Sequence, residues 1–427
     1  ASAYQPWLDK APGNTANGRE YCLNRNNTQW PLSRGFWDYQ SRCAYMMRQG
    51  QPVVDLCIYL GSEVSNKLLS YRLPQIPEGY DWDVCTDDAL LRILTAQQGK
   101  LKAANDMTYR VLVVERLARL TAKAEAKVEA LKQQGVPIYD ARKEGDYGLK
   151  AFLEQLSLSP DAAFTSANQP DTRIFFAHRS TGRAEIYFFD NHSHDIFSQD
   201  IVLRDSKGMT AEYWNPDNGQ RYTLNTALTP EGNLSVSLTL DAHEAGFILL
   251  HKDKALIQPS LKRTYGQAEE IIALEKPWKV DFLLPSGKRT THMSELTDWT
   301  LLQDEELKHH SGTAIYHQNF EKPIFADTTQ RVMIRIDGLE ATSRVWVNNH
   351  DAGYLWCAPW EVDITPYLKE GENSLRIEVA NQLTNRMIGD LYLPEEKRTT
   401  FATTPLVKPG DKLLPAGITK SVKIVIR

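Results

Sequence analysis

Residues Arg344 to Asp390 read RVWVNNHDAGYLWCAPWEVDITPYLKEGENSLRIEVANQLTNRMIGD. Val345 and Val347 alternate with other side chains, and Asn348, Asn349, Asp351 and Gly353 supply turn chemistry, which predicts a half-buried antiparallel hairpin. After the Glu370-Gly371-Glu372-Asn373 turn, Leu375, Ile377 and Val379 resume the period of two. Between these strands lie Trp356, Pro359 and Trp360, in a segment too turn-like for a core strand. The stretch therefore predicts a β-sandwich with an aromatic rim.

The pattern changes on moving outward. Trp278 to Phe282 opens the set of strands to which the quoted stretch belongs, which places a β-sandwich over residues 266–427. Upstream, Arg173–Ala177, Ala184–Asp190, Met209–Trp214, Leu234–Leu240 and Gly246–His251 are short apolar runs divided by Gly, Asn, Asp and Pro, and they predict an antiparallel β domain over 166–265. Earlier still, the apolar run Val53–Leu60 fits a buried parallel strand. It alternates with a helix over Asp87–Leu94, a strand over Tyr109–Val114, a helix over Thr121–Gln134 and a strand over Val136–Tyr139, the signature of a small open α/β domain over 51–165. Neither GxGxxG nor GxxxxGK is present, so no nucleotide fingerprint accompanies it. Phe36, Tyr39, Cys43 and Met46 or Met47 recur at helical spacing over Gly35–Gln49, with Ser33 placed to cap that helix.

A chain of 427 residues, 42% hydrophobic and 24% charged, has room for two to four domains with their own cores. Its formal net charge of -5 and lack of a long basic run argue against binding nucleic acid through phosphate neutralisation. No apolar run of about 18 residues is present, so no membrane span is expected. No signal-peptide pattern is visible in the polar sequence from Ala1. Cys22, Cys43, Cys57, Cys85 and Cys357 are odd in number and have no CxxC spacing, which favours free thiols over a zinc site.

Candidate chemistry is sparse. Asn24-Arg25-Asn26-Asn27-Thr28-Gln29-Trp30-Pro31 concentrates amides, one cation and an indole, a set that hydrogen-bonds sugar hydroxyls and stacks on a pyranose face, or simply forms a capped turn. Asn26, Asn27, Trp30, Trp356 and Trp360 are the candidate substrate-binding residues, with packing against a barrel or the neighbouring sandwich as the simpler account of Trp356 and Trp360. Asp190, His192, His194 and Asp195 bring imidazoles and carboxylates together, but strand-end polarity explains them more simply than a metal site does. His309 and His310 lack a coordinating partner at suitable spacing, Asp304 to Glu306 read as solvated charge, and Ser311 is not in a G-x-S-x-G elbow. Glu212 and Asp217 flank a turn, whereas glycosidase carboxylates must face each other across a scissile bond.

Ser311–Tyr316, Arg344–Asn348, Gly353, Leu355-Trp356, Pro359-Trp360, Val362–Thr365, Gly371–Asn373 and Glu378-Val379 resemble the galactose-binding-like jelly roll attached to many large glycoside hydrolases. Asn381 with Asn385–Asp390 resembles, more narrowly, the C-terminal domain of the α-L-rhamnosidases of glycoside hydrolase family 106. Asn24–Thr28, Trp30-Pro31, Trp37, Tyr39 and Arg42 look like the segment that closes the catalytic (β/α)8 barrel of that family, and Pro77–Asp83 through Asp88–Leu91 look like its α/β domain. The resemblance implies a multidomain α/β plus all-β chain: residues 1–50 as the last loop and helix of the barrel, then the small α/β domain, the antiparallel β domain and the C-terminal jelly roll.

The same resemblance implies an exo-hydrolase that removes terminal α-L-rhamnose from pectic or related polysaccharides or glycosides with inversion, using a carboxylic acid and a carboxylate base. Those carboxylates, and the ligands of an expected calcium ion, would lie upstream of this chain. The N-terminal catalytic barrel, on the same precursor or another chain, is then the expected partner, this chain alone is expected to be inactive, and a polysaccharide substrate suggests a periplasmic or secreted location. Two other readings share these domains: a non-catalytic carbohydrate-binding or structural fragment, and a β-galactosidase-like or β-glucuronidase-like hydrolase.

Overall fold

The computed structural model describes residues 12–14, 27–62, 74–165, 174–252, 261–262, 270–324, 330–402 and 407–427. Its architecture is mixed and sheet-rich, with few helices. Two compact units make up the chain: residues 1–41 with 264–427, and residues 42–263.

In the first unit, a six-stranded antiparallel sheet runs in the order Gly287–Met293, Trp278–Leu284, Thr313–Glu321, Glu372–Ala380, Thr342–Val347, His350–Leu355. A four-stranded antiparallel sheet runs Glu270–Ala273, Ile418–Ile426, Val332–Leu339, Glu361–Asp363. Alternate side chains of both sheets, among them Val280, Tyr316, Ile334, Val345, Ile377 and Ile424, enter one core, as the period of two requires. The hairpin expected at Asn348-Asn349 is present, with φ of 49° and 64°, the left-handed pair that a two-residue turn matched to strand twist needs. Asn348 adds a second role, since its Nδ2 donates to the Tyr367 carbonyl at 2.9 Å and to Asn373 Oδ1 at 2.7 Å.

Trp299 closes one end of this core. It sits in a 3-10 turn, Trp299–Leu301, whose cap Asp298 accepts from the Thr300 and Ala416 amides at 2.9 and 3.1 Å. The fully buried indole donates to Tyr316 Oη at 2.6 Å, which satisfies a polar atom that would otherwise be costly to bury. Gly417 has φ of 85°, and a Cβ there would lie 2.2 Å from Trp299 Nε1, so both backbone conformation and space demand glycine.

The second unit holds a four-stranded parallel sheet in the order Trp82–Cys85, Leu56–Tyr59, Val111–Val114, Ile138–Asp140. Leu56, Ile58, Val111 and Val113 face a core completed by Leu149 and Leu153 of helix Leu149–Gln155. Cys57, Tyr59, Leu112 and Val114 face the opposite core, with Val128 and Leu131 of helix Ala122–Gln133. Both faces are covered, which is why these strands read as unbroken apolar runs. Strand Trp82–Cys85 is not anticipated from the sequence, because Asp83 breaks its apolar pattern; its carboxylate accepts from Tyr109 Oη at 3.0 Å.

The antiparallel part of this unit pairs a seven-stranded sheet, which includes Thr210–Trp214, Ala245–His251, Ala184–Asn191 and Ile174–Ser180, with a four-stranded sheet of Ala162–Phe164, Phe197–Leu203, Leu234–Leu240 and Thr226–Leu228. Tyr187, Phe197, Ile201, Val236 and Ile248 share its core. Ile186, Phe247 and Leu249 on the other face pack with Met46, so Ala245–His251 is buried along its whole length. Two short strands belong to these sheets although they bracket the parallel sheet in sequence. Gln51–Pro52 pairs with Arg179–Ser180, and Ala162–Phe164 pairs with Leu203–Ile201.

A buried ionic cluster lies where the chain leaves one set of strands for the other. The Asp55 carboxylate takes a bidentate pair from Arg204, 3.0 Å to each oxygen, and Arg204 Nη1 also donates to the Ser159 carbonyl at 2.6 Å. Arg204 Nη2 lies 3.5 Å from Asp161, which accepts from Tyr187 Oη at 3.2 Å and faces His178 Nδ1 at 2.8 Å. His178 Nε2 faces Glu185 at 3.0 Å. An ionised carboxylate only accepts, so two of them facing both ring nitrogens favour the imidazolium form, which can donate to each.

Burial alone presses the His178 imidazole toward neutrality, but the hydrogen bonds to Asp161 and Glu185 outweigh it and raise the pKa above its ordinary value. Because the folded pKa is the higher, the stabilisation is fully present below about pH 6.5 and is lost as pH rises through the folded value. Stability of the chain should therefore decline as pH rises from about 6.5 through the folded value, and His178→Gln should flatten that decline. Urea unfolding across pH 6 to 9 checks this; parallel curves for the two proteins would refute it.

Candidate functional site

The segment from Asn27 is a chain of local turns. Asn27 Oδ1 accepts from the Gln29 amide at 2.9 Å, and Trp30 N donates to the Asn27 carbonyl at 3.1 Å. A 3-10 turn, Trp30–Leu32, leads into helix Arg34–Met46. Ser33 does not cap that helix as the sequence suggests; its hydroxyl donates backward to the Trp30 carbonyl at 2.8 Å, because the 3-10 turn already supplies the preceding residues. Thr28 Oγ1 donates to the Asn381 carbonyl at 2.6 Å and ties this segment to the end of strand Glu372–Ala380.

Aromatic side chains join the two ends further. Trp356 meets Phe36 edge-on at 5.4 Å and Tyr39 at 5.0 Å, and Trp30 meets Trp37 at 6.3 Å. Gly35 lets the helix approach, since a Cβ there would lie 2.5 Å from Tyr354 Cβ. Trp30 and Trp37 remain 39% and 38% exposed, whereas Trp360 is half-buried against the sandwich core.

A cavity of about 380 Å3 brings part of this set together. Trp356 and Trp360 line it with Gln29, the Leu339–Thr342 turn, Asn381, Gln382, Thr384, Asn385, Leu414 and Pro415. Sheet register makes the site, because Thr342 pairs with Ala380 and so sets the turn after strand Val332–Leu339 beside the exit of strand Glu372–Ala380. Asn27 and Trp30 are not among the lining residues, and Asn26 lies outside the described residues. Glu340, Gln382 and Thr384 carry no signal in the sequence that marks them as part of a site.

Two of the lining amides are committed to the scaffold. Asn381 Nδ2 donates to the His310 carbonyl at 3.0 Å and its Oδ1 accepts from Gly312 N at 2.9 Å. Asn385 makes a reciprocal pair with Leu414, at 2.7 and 2.8 Å. Asp390, at the end of the same short helix, accepts from the Thr399 and Thr400 amides at 2.9 and 2.7 Å. The Asn381 and Asn385–Asp390 motif thus fixes loops around the cavity.

The other clusters stay apart. His192 Nε2 faces Asp190 at 2.6 Å, while His194 Nδ1 faces His243 Nε2 at 2.9 Å. His310 is buried against Phe282 and Trp299, and burial pushes its pKa down to about 4, so it is neutral near pH 7. Glu212 is buried and accepts from Trp214 Nε1 at 2.9 Å. Asp217 sits in a turn whose Pro216 and Asp217 carbonyls accept from Arg42 at 2.8 and 2.9 Å. Among the described residues, no three His, Cys, Asp or Glu side chains converge as a metal site.

Comparison with known proteins bears on both ends of the chain. Residues 1–150 match the model of the glycosyl hydrolase 106 family, described as alpha-L-rhamnosidase, and residues 291–426 match that of the sugar binding domain of glycosyl hydrolases family 2. A putative β-glucuronidase of Formosa agariphila is 30% identical over 188 residues, 38% of this chain and 16% of that protein. The β-galactosidase large subunit of Latilactobacillus sakei is 43% identical over 63 residues, 14% of this chain and 10% of that protein. The rhamnosidase structure from Novosphingobium sp. PP1Y superposes with a TM-score of 0.83 at 24% identity, covering 99% of this chain and 44% of that one. The chain thus spans less than half the length of each of these relatives. The likeness to the α-L-rhamnosidases of glycoside hydrolase family 106 accordingly holds in sequence over residues 1–150, and the fold is similar to that of a rhamnosidase over nearly the whole chain.

Proposed function

We propose that this chain is the C-terminal portion of an α-L-rhamnosidase that hydrolyses terminal α-L-rhamnose from pectic or related polysaccharides or glycosides. The observation that carries the reading is the match of residues 1–150 to the rhamnosidase family, joined to a rhamnosidase fold over 99% of the chain. Residues 1–50 complete a catalytic (β/α)8 barrel, and residues 266–427 are a galactose-binding-like jelly roll. An acid and a base carboxylate about 6.5–9.5 Å apart, the separation for inversion, belong to the barrel upstream of this chain, as do the ligands of a calcium ion. Rhamnose-containing glycan and the barrel are the partners, and the location is periplasmic or secreted.

Asn26, Asn27 and Trp30 form a substrate-facing rim in this reading, with Trp30 and its exposed neighbour Trp37 as the aromatic surface. The chain alone is expected to release no rhamnose from an aryl α-L-rhamnoside, whereas the longer protein carrying the barrel releases it. Rhamnose release by a highly purified preparation of this chain would refute that placement of the carboxylates. In the longer protein, Asn27→Ala and Trp30→Ala are expected to lower kcat/KM about tenfold with little change in melting temperature, the effect of losing a hydrogen bond or a stacking contact to bound sugar. Unchanged kcat/KM in both would remove them from the site.

The carbohydrate-binding reading keeps one specific support, the cavity walled by Trp356 and Trp360 within the region that matches a sugar binding domain. Glycan binding without rhamnosidase activity in the longer protein would favour it.

A further inference from the structure

We propose that the cavity beside Trp356 and Trp360 binds a neutral pyranose and rejects acidic sugars, with Glu340, Gln382 and Thr384 as its hydrogen-bonding partners. The inference rests on the reading of this chain as part of a glycan-processing protein, and it adds a site and a selectivity to that reading.

A sugar ring offers an apolar C–H face and an edge of hydroxyls, so its site needs an aromatic wall and polar groups not already engaged. Trp356 and Trp360 supply the wall, and a cavity of about 380 Å3 has room for a sugar ring. Asn381 and Asn385 are spent on the scaffold, as their bonds to His310, Gly312 and Leu414 show. Glu340, Gln382 and Thr384 differ: among the described residues none of their side chains has a hydrogen bond or ion pair. A carboxylate accepts from two adjacent hydroxyls at once, an amide both donates and accepts, and a hydroxyl turns to suit either.

Selectivity follows from the charges present and those missing. Glu340 is the one acidic residue lining the cavity, and no Lys, Arg or His lines it among the described residues. A uronate or sulfated sugar would set its anion beside a carboxylate with no counter-charge in the cavity, the repulsion by which a site excludes a ligand of otherwise similar shape. Glu340 holds its place through the backbone, where its amide donates to the Gly417 carbonyl at 3.1 Å. Its exposed side chain is therefore free to change without loss of fold.

The test is titration of the 427-residue chain with methyl α-L-rhamnopyranoside and, separately, with D-galacturonate, followed by ligand-observed saturation-transfer NMR and calorimetry. The neutral glycoside should bind at least about tenfold more tightly than the uronate, the size of one charge-assisted hydrogen bond. Glu340→Gln should weaken the neutral sugar and narrow its margin over the uronate, at unchanged melting temperature, and Thr384→Val should weaken both sugars. Equal binding of the two sugars, or an unchanged margin in Glu340→Gln, would overturn the selectivity. Binding of neither would overturn the site while leaving the rhamnosidase reading to the activity of the longer protein; binding here with an inactive longer protein would overturn only that activity.

Discussion

Arg204→Met is expected to lower the stability of the chain by about 3–5 kcal/mol, the cost of breaking a buried ion pair from one side. The guanidinium serves Asp55 through both oxygens, approaches Asp161 at 3.5 Å and donates to the Ser159 carbonyl, so its loss leaves the buried Asp55 carboxylate with Arg110, 3.4 Å away, as its remaining cationic partner among the described residues. Burial already raises the Asp55 pKa, with Arg204 as the main opposing influence, so the variant should raise it further. Arg204→Met with Asp55→Asn is expected to recover part of the loss, because it removes the stranded charge. Urea unfolding followed by circular dichroism reads both variants. A loss below about 1 kcal/mol for the single variant, the scale of an exposed pair, would show that the cluster is solvated in the folded protein.

Trp299→Ala should cost a comparable amount, about 3–5 kcal/mol, through a cavity rather than a charge. The side chain is fully buried between Phe282 and His310, with its indole nitrogen bonded to Tyr316. Truncation leaves Tyr316 Oη with the longer bond from the Ile418 amide, 3.4 Å, in place of the 2.6 Å bond from the indole, and removes the group against which Gly417 packs. Trp299→Phe keeps most of the volume and loses the hydrogen bond, so it should fall well short of the alanine variant. Equal losses for the two would assign the stabilisation to the hydrogen bond instead of to packing.

What the sequence shows of this fold follows the chemistry of each strand. Leu234–Leu240, Ala245–His251 and the strands around Val345 and Ile377 are legible because apolar residues sit at the right period and Asn348-Asn349 turns as those side chains must. Phe197–Leu203 is not, because Ser198 and Asp200 on its exposed face interrupt the signal. Asp55, Asp161, His178 and Arg204 look like surface charge, since burial of an ion is set by partners distant in sequence. The candidate site divides in the same way: two tryptophans announce themselves, while Glu340 and Gln382 reach the same cavity only through the pairing of Thr342 with Ala380.

The short strands that bracket the parallel sheet have a consequence for the order of folding. Gln51–Pro52 and Ala162–Phe164 each pair with strands that come later in the chain, so the residues between them form a closed loop within the antiparallel framework. Closing a flexible loop of about a hundred residues costs about 4 kcal/mol of chain entropy. If that segment has already condensed around its own two cores, its ends emerge together at Asp55 and Asp161, and the framework closes a rigid body instead of a coil. The ionic cluster there makes the inserted segment a fastening for the sheets that surround it.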